Sequence, residues 1–291
     1  MHIQYGELAT VYIYAMPKSQ ITILLPVHAD APFLESCLRS LNNLIIPEKT
    51  NLIIILDRVS NLTRERIDRI ELEMPIRIII NSQFGLVNSL NLGLSAAEGE
   101  FIARIDHDDM MQFDRLEKQL SFFRRNPDHI LVGSNVTLID QNGTRIRETN
   151  YPISNDEIVR ILSHKNVFAH PSVMYRRTAA ITSGMYRKFY EGAEDYDLWL
   201  RMIGVGKVAN LQDSLTLYRQ HSGQMSIRNL RKQWMITEAV KTSARLTKRW
   251  EISLDEKYSS VEDWYQNNRL IRFKHRVIIS KSFLKNAKVQ K

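Results

Sequence analysis

Residues 100–111 read EFIARIDHDDMM, an apolar run that leads straight into Asp106, His107, Asp108 and Asp109. If the run is a buried strand, the acids stand at its carboxyl end. In an open α/β sheet that is where ligands bind. The alternative is that the acids begin the next helix, one capping it and the others favouring its positive end. Both readings stand until the rest of the chain is placed around this stretch.

Working outward toward the N-terminus, three more apolar runs appear, ITILL (21–25), NLIIIL (51–56) and IRIII (76–80). They are β-branched, uninterrupted and bounded by Pro, Asp or Asn, as strands buried on both faces are. Between them lie helical patterns. APFLESCLRSLNNL carries Leu34, Leu38 and Leu41 on one side, with Pro32 suited to a first turn. TRERIDRIELE carries Ile67 and Ile70, and LVNSLNLGLSAA carries Leu86, Leu90 and Leu94 before Gly99, a natural stop. The βαβαβαβ order, with EFIARI as fourth strand, predicts a parallel sheet with right-handed crossovers. The fold class expected is α/β, a Rossmann-like, mostly parallel central sheet with a C-terminal helical extension.

Beyond the acids, FDRLEKQLSFFRRNP offers Phe113, Leu116, Leu120 and Phe123 at helical spacing and ends at Pro127. ILVGSNVTLID and RIRETN, joined through Gln141, Asn142 and Gly143, predict a hairpin. Ser154 and Glu157 have the spacing of a capping box before DEIVRILSHK. No internal repeat or low-complexity tract interrupts the chain.

Charge divides it instead. The net charge is +8, yet residues 224–291 hold 16 Lys plus Arg against 6 Asp plus Glu, so everything before them is slightly acidic. The expected division is one main α/β domain over 1–225, itself in halves of about 18–110 and 111–225. A basic helical extension follows over 226–291. In RLIRFKHRVIISKSFLKN, Leu270, Phe273, Val277 and Leu284 share a helical side flanked by Arg269, Arg272 and Arg276. That pattern suits either an anionic membrane surface or packing on the main domain. No run reaches the roughly 18 to 20 apolar residues of a membrane span, and one cysteine, Cys37, excludes an internal disulfide and a thiolate zinc cluster. A cytoplasmic setting, peripheral on the inner face of the membrane if the tail docks there, is the expectation.

Three clusters are candidates for chemistry. Hard divalent cations take carboxylate oxygens, so Asp106 and Asp108 suit Mg²⁺ or Mn²⁺ shared with a diphosphate. A D-x-D after a strand also occurs in phosphohydrolases with an aspartyl nucleophile. Asp57 ends the second strand, where it can accept from a nucleobase N–H or serve only as a turn residue. In EGAEDYDLWLRM a helix starting near Glu194 aligns Asp195 with Trp199 and Met202. A partly apolar setting beside Glu194 would raise the Asp195 pKa and suit it to general base work, although a first-turn acid also complements the helix dipole.

Taken together, ITILLPVHAD, GLVNSLNLGLSAAEGEFIARIDHDDM, FDRLEKQL, HPSVMYRR, EDYDLWLRM and YRQHSGQMS, six ordered blocks over about residues 21–226, resemble the bacterial family 2 inverting glycosyltransferases. The likeness is to the enzymes of capsule, exopolysaccharide and O-antigen assembly. It displaces the phosphohydrolase reading, which wants its D-x-D at the first strand. The resemblance implies the glycosyltransferase A fold and a nucleotide-sugar donor, most often a UDP-sugar. It implies that Pro26, Val27, His28, Asp57, Arg104, Asp106 and Asp108 face the donor, and that Asp108, with Asp106 and His221, holds the divalent cation. Asp195, with Glu194 beside it, would be the catalytic base, and His170, Arg176 and Arg177 are candidate acceptor or phosphate contacts. A saccharide acceptor, lipid-diphosphate-linked in enzymes of this kind, completes the reaction, and nucleic acid is not an expected partner.

Two departures stand out. The family commonly has DDGS after the second strand, where this chain has DRVS (57–60), and the Q-x-x-R-W block of processive synthases is missing after the ED pair. One sugar per encounter is therefore expected. The competing classes are a catalytically silent nucleotide-sugar-binding subunit and a sugar nucleotidyltransferase. The second would need a Gly-rich, basic loop after the first strand, and PVHADAPFL is neither.

Overall fold

The computed structural model describes residues 2–5, 9–13, 20–45, 49–224, 230–248, 254–268 and 271. Its strands are β1 (His2–Tyr5), β2 (Ala9–Ile13), β3 (Ile21–His28), β4 (Thr50–Asp57), β5 (Ile76–Ile80), β6 (Phe101–Arg104), β7 (Met110–Met111), β8 (His129–Ile139), β9 (Arg145–Glu148), β10 (Met174–Arg176) and β11 (Lys207–Arg219). Its helices are α1 (Leu34–Asn42), α2 (Asn61–Asp68), α3 (Leu86–Ala96), α4 (Arg115–Arg125), α5 (Asn155–Leu162), α6 (Arg177–Thr182), α7 (Glu194–Met202), α8 (Leu230–Lys248), α9 (Leu254–Lys257) and α10 (Val261–Asn267). All strands join one sheet in the order β1-β2-β5-β4-β3-β6-β10-β8-β11-β7, with β9 paired to β8.

The four apolar runs form its parallel centre, β5-β4-β3-β6. Register explains why they are apolar throughout. Ile21, Ile23, Leu25 and Val27 of β3 point into one core with α1, α2 and α4. Leu24 of β3 and Ile53 and Ile55 of β4 point into the other, with α3 and α5 to α10. Each strand thus needs apolar side chains on both faces. Beyond this centre the sheet turns antiparallel, through β10 on one side and through β2 on the other. β8 and β11 then run parallel to each other.

The helices end where local physics places them. The Ser154 hydroxyl accepts from the Glu157 N–H, which is half of the expected capping box. α3 ends at Ala96, before the expected glycine stop. Gly99 serves close packing instead: a Cβ there would lie 2.7 Å from the Thr22 backbone nitrogen, and its N–H reaches Thr22 Oγ1 at 3.2 Å. Phe113, expected on the buried face of the next helix, precedes α4 and is 56 % exposed. Arg115 and Gln119 are buried in its place, donating to the Arg104 carbonyl of β6 and the Val132 carbonyl of β8.

The C-terminal elements share the larger core. Met235, Ile236, Ala239 and Val240 of α8 and Trp264 and Tyr265 of α10 are buried with Tyr196 and Trp199 of α7. The tail residues of the expected basic helical side, Arg269, Leu270, Arg272, Phe273, Arg276, Val277 and Leu284, lie outside the described residues. Among the described residues no helix is long and apolar enough to cross a membrane.

Candidate active site

The parallel strands deliver their carboxyl ends to one rim. His28 and Asp57 are opposite each other at the ends of β3 and β4. Pro26 and Val27 precede them in β3, and β6 ends at Arg104, two residues before Asp106. Residues 106–109 form a tight turn closed by the Asp109 N–H on the Asp106 carbonyl at 3.2 Å. That turn gathers the acids, with one carboxylate oxygen from each of Asp106, Asp108 and Asp109 within 4.8 Å of the others.

The three acids have different surroundings. Asp106 pairs with the buried Arg104 guanidinium at 2.5 Å. Asp108 Oδ2 lies 3.0 Å from His221 Nε2. The Gly223 N–H donates to His221 Nδ1, which orients the ring with Nε2 toward Asp108. Asp109 is 1 % exposed, and its Oδ1 accepts the Arg219 N–H at 2.8 Å while Oδ2 has no partner. It does not cap α4, as one reading of the sequence expected, since β7 separates the two. Burial, then the charges of Asp108 and Asp106, push the Asp109 carboxyl well above the usual range.

Such a donor set fits a hard or borderline divalent cation: carboxylate oxygens with one imidazole suit Mn²⁺ or Mg²⁺. The partnerless oxygen of Asp109 and the like charges packed in one turn are what a bound cation would relieve. Arg219 fixes the turn from outside, donating to the Asp108 carbonyl at 3.0 Å and the Gln141 carbonyl at 3.0 Å.

Asp195 opens α7 on the same rim. Its Oδ2 accepts from Asn166 Nδ2 at 2.9 Å, and Asn166 is itself oriented by the Phe168 N–H. Burial raises the Asp195 pKa; the Tyr196 N–H and Asn166 oppose this, and the charges of Arg104 and Asp106 reach it too. Glu194 is fully packed, accepts the Gly192 N–H at 2.6 Å, and is pushed up to about 7 by burial and by Asp195.

Arg104 is the electrostatic hub of the site. It is 1 % exposed, its charge reaches Asp106, Asp109, Glu194 and Asp195, and its Nε has no hydrogen-bond partner. A second buried guanidinium, Arg115, donates to the Arg104 and Val173 carbonyls at 2.9 and 3.0 Å and so sets the Arg104 backbone. Burial and Arg104 lower the Arg115 pKa to about 9.

The candidates divide as follows. Pro26, Val27, His28, Asp57, Arg104, Asp106, Asp108, Glu194, Asp195 and His221 come to the sheet's carboxyl-end rim or the turn beside it. His170 is close by but engaged with the Tyr186 hydroxyl at 3.1 Å, and burial lowers its pKa well below the usual value. Arg176 and Arg177 do not come to the rim: Arg176 pairs with Phe101 at the opposite end of β6, and Arg177 donates to the Leu94 carbonyl. Asn166, Arg219 and Arg115 are further residues of the site, which the sequence pattern does not single out. Arg219 lies inside the YRQH block, but nothing in the letters around Asn166 announces a partner for Asp195.

Comparison with known proteins agrees with this architecture. Residues 22–183 match the family model described as glycosyl transferase family 2. The chain is 32 % identical over 203 residues to the amylovoran biosynthesis glycosyltransferase AmsE of Erwinia amylovora, covering 69 % of this chain and 74 % of that one. It is 27 % identical over 194 residues to the UDP-Gal:alpha-D-GlcNAc-diphosphoundecaprenol beta-1,3-galactosyltransferase of Escherichia coli, covering 65 % and 69 %. Among solved structures, S. aureus TarS 1-349 in complex with UDP-GlcNAc has the same fold, with a TM-score of 0.62 at 14 % identity, covering 76 % of this chain and 66 % of TarS 1-349. The mannosyltransferase PcManGT of Pyrobaculum calidifontis, in complex with GDP-Man and Mn²⁺, gives 0.56 at 14 % identity, covering 82 % and 67 %.

Proposed function

The chain belongs to glycosyl transferase family 2, and from that premise we propose that it moves one sugar from a nucleotide sugar, a UDP-sugar by preference, to a saccharide acceptor in surface polysaccharide synthesis. We assign inversion at the anomeric carbon, a divalent cation as cofactor, and a lipid-diphosphate-linked acceptor met at the inner face of the cytoplasmic membrane. The observation that carries the reading is the meeting of two groups: the carboxylate of Asp195 and the acidic turn at Asp106–Asp109 share Arg104 as electrostatic neighbour. The names of AmsE and of the Escherichia coli galactosyltransferase support the polysaccharide setting and the lipid-diphosphate acceptor.

The chemistry follows from charge. Breaking the anomeric C–O bond leaves negative charge on the departing diphosphate, which a cation held by Asp108, Asp106 and His221 would neutralise. Asp195 accepts the proton of the acceptor hydroxyl as its oxygen attacks from the face opposite the leaving group. One displacement inverts the centre, by the same logic of two groups on opposite faces that inverting hydrolysis uses. Asn166 holds the Asp195 carboxylate in position, and Glu194 holds the turn that carries it. Asp57 takes a nucleobase N–H, with Pro26, Val27 and His28 beside the base.

A panel of nucleotide sugars incubated with Mn²⁺ or Mg²⁺ tests this. One UDP-sugar is expected to release UDP, and chelation of the cation is expected to stop it. Turnover of none of the panel, or turnover indifferent to chelation, contradicts the proposal.

A further inference from the structure

The DRVS departure leaves a feature that the proposed reaction does not use. Arg58 and Phe84, both exposed and neither a glycine, hold left-handed backbone at φ 51° and 55°. Side chains with a Cβ enter that region at a cost, and such strain persists where the surroundings enforce it, often at ligand sites. The two residues meet: the Arg58 guanidinium carbon lies 4.1 Å above the centre of the Phe84 ring. The loop beneath is wound tightly, with Asn88 Nδ2 donating to the Phe84 carbonyl at 2.7 Å and the Gln83 N–H to Asn81 Oδ1 at 3.0 Å.

This stacked pair flanks one carboxylate on both sides. Arg58 follows Asp57 in the chain, and Phe84 precedes Gly85, whose N–H donates to Asp57 Oδ2 at 2.8 Å. The Asp57 side chain is 5 % exposed, and its Oδ1 has no hydrogen-bond partner. A buried acceptor without a donor calls for a ligand N–H.

Resting on the nucleotide-sugar reading, we infer that the Arg58–Phe84 stack is the nucleobase selector of this chain, reading a base carbonyl next to the ring N–H that Asp57 takes. The guanidinium has only donors to offer, and the carboxylate only acceptors. Uracil matches that pair, since its ring N–H stands between two carbonyls. Cytosine opposes it, because an unprotonated ring nitrogen would face the carboxylate and an amino group would replace a carbonyl. Phe84 holds the guanidinium by cation–π attraction, so the planar cation keeps its orientation at an exposed rim.

The test is calorimetric titration of UDP and CDP into the full chain with Mn²⁺ present. Wild type is expected to prefer UDP. Arg58→Gly, which removes the backbone strain along with the side chain, is expected to lose about tenfold in UDP affinity, as loss of a hydrogen bond from a charged donor does. Its CDP affinity should change less than about twofold on the same scale, so the preference narrows by roughly the factor lost for UDP, Asp57 keeping its own share, while the thermal transition is kept. Phe84→Ala should shift the preference the same way by less. An unchanged UDP to CDP ratio in Arg58→Gly, whether both affinities hold or both fall together, overturns the selector. Wild type that binds neither nucleotide would instead overturn the UDP-sugar reading on which it rests.

Discussion

At the scale of single residues, the acids of this site differ because their neighbours differ. Asp106 is paired to a buried arginine, Asp108 to a histidine, Asp109 to a backbone N–H, and Asp195 to an asparagine. Glu194 carries a consequence for pH. Its folded pKa of about 7 lies above the ordinary value of 4.5, so the folded chain holds that proton more tightly than the unfolded chain. The resulting stability is fully present below pH 4.5 and is lost as pH rises through 7, with a ceiling on the order of 3 kcal/mol. Glu194→Gln keeps an acceptor for the Gly192 N–H without the charge. Thermal melts should show wild type losing stability from pH 5 to pH 8 relative to this variant, and parallel profiles would contradict the assignment.

At the scale of elements, α3 shows how closely the helices approach the sheet. Val87, Leu90 and Leu94 are buried on it, each worth about 1.5–3 kcal/mol of burial. The approach depends on Gly93, where a Cβ would fall 2.1 Å from Leu24 Cδ1. Gly93→Ala gains about 1 kcal/mol of helix propensity but overpacks a buried interface at about 1–3 kcal/mol. Urea denaturation should show net destabilisation, and adding Leu24→Val should recover part of it. If Gly93→Ala is neutral or stabilising, the close approach is not what the glycine serves. The four parallel strands and their helices were legible in the sequence because each strand is apolar on both faces and each helix has one apolar side. Of the strands added to them, the β8–β9 hairpin was legible from its turn, while β10 and β11 were not. β10 is only three residues long, and β11 mixes Asn, Gln, Asp and Ser among its apolar residues, so neither shows a strand period. β1 and β2, of four and five residues, are too short to set a strand period.

At the scale of the whole molecule, the site is assembled from distant stretches: the β3, β4 and β6 ends, the turn after β6, the start of α7, and the segment after β11. The strand-end acids could be anticipated, because an acid after an apolar run sits at a sheet's rim. Of their partners, Arg104 and His221 are named in the sequence reading, while Asn166, Arg219 and Arg115 are not, since they reach the site only through folding. The C-terminal helices take part as well: α8 donates from Gln233 to the Gly192 carbonyl, next to the turn that carries Glu194 and Asp195. The central claim is a division of labour, in which the acidic turn holds the donor and its cation while Asp195 moves the proton. Its most direct test is Asp195→Asn, measured twice in the presence of Mn²⁺, for UDP affinity by calorimetry and for sugar transfer by turnover. The account predicts UDP affinity close to wild type with transfer reduced about a hundredfold or more. Equal loss of binding and transfer, or transfer that persists, would contradict it.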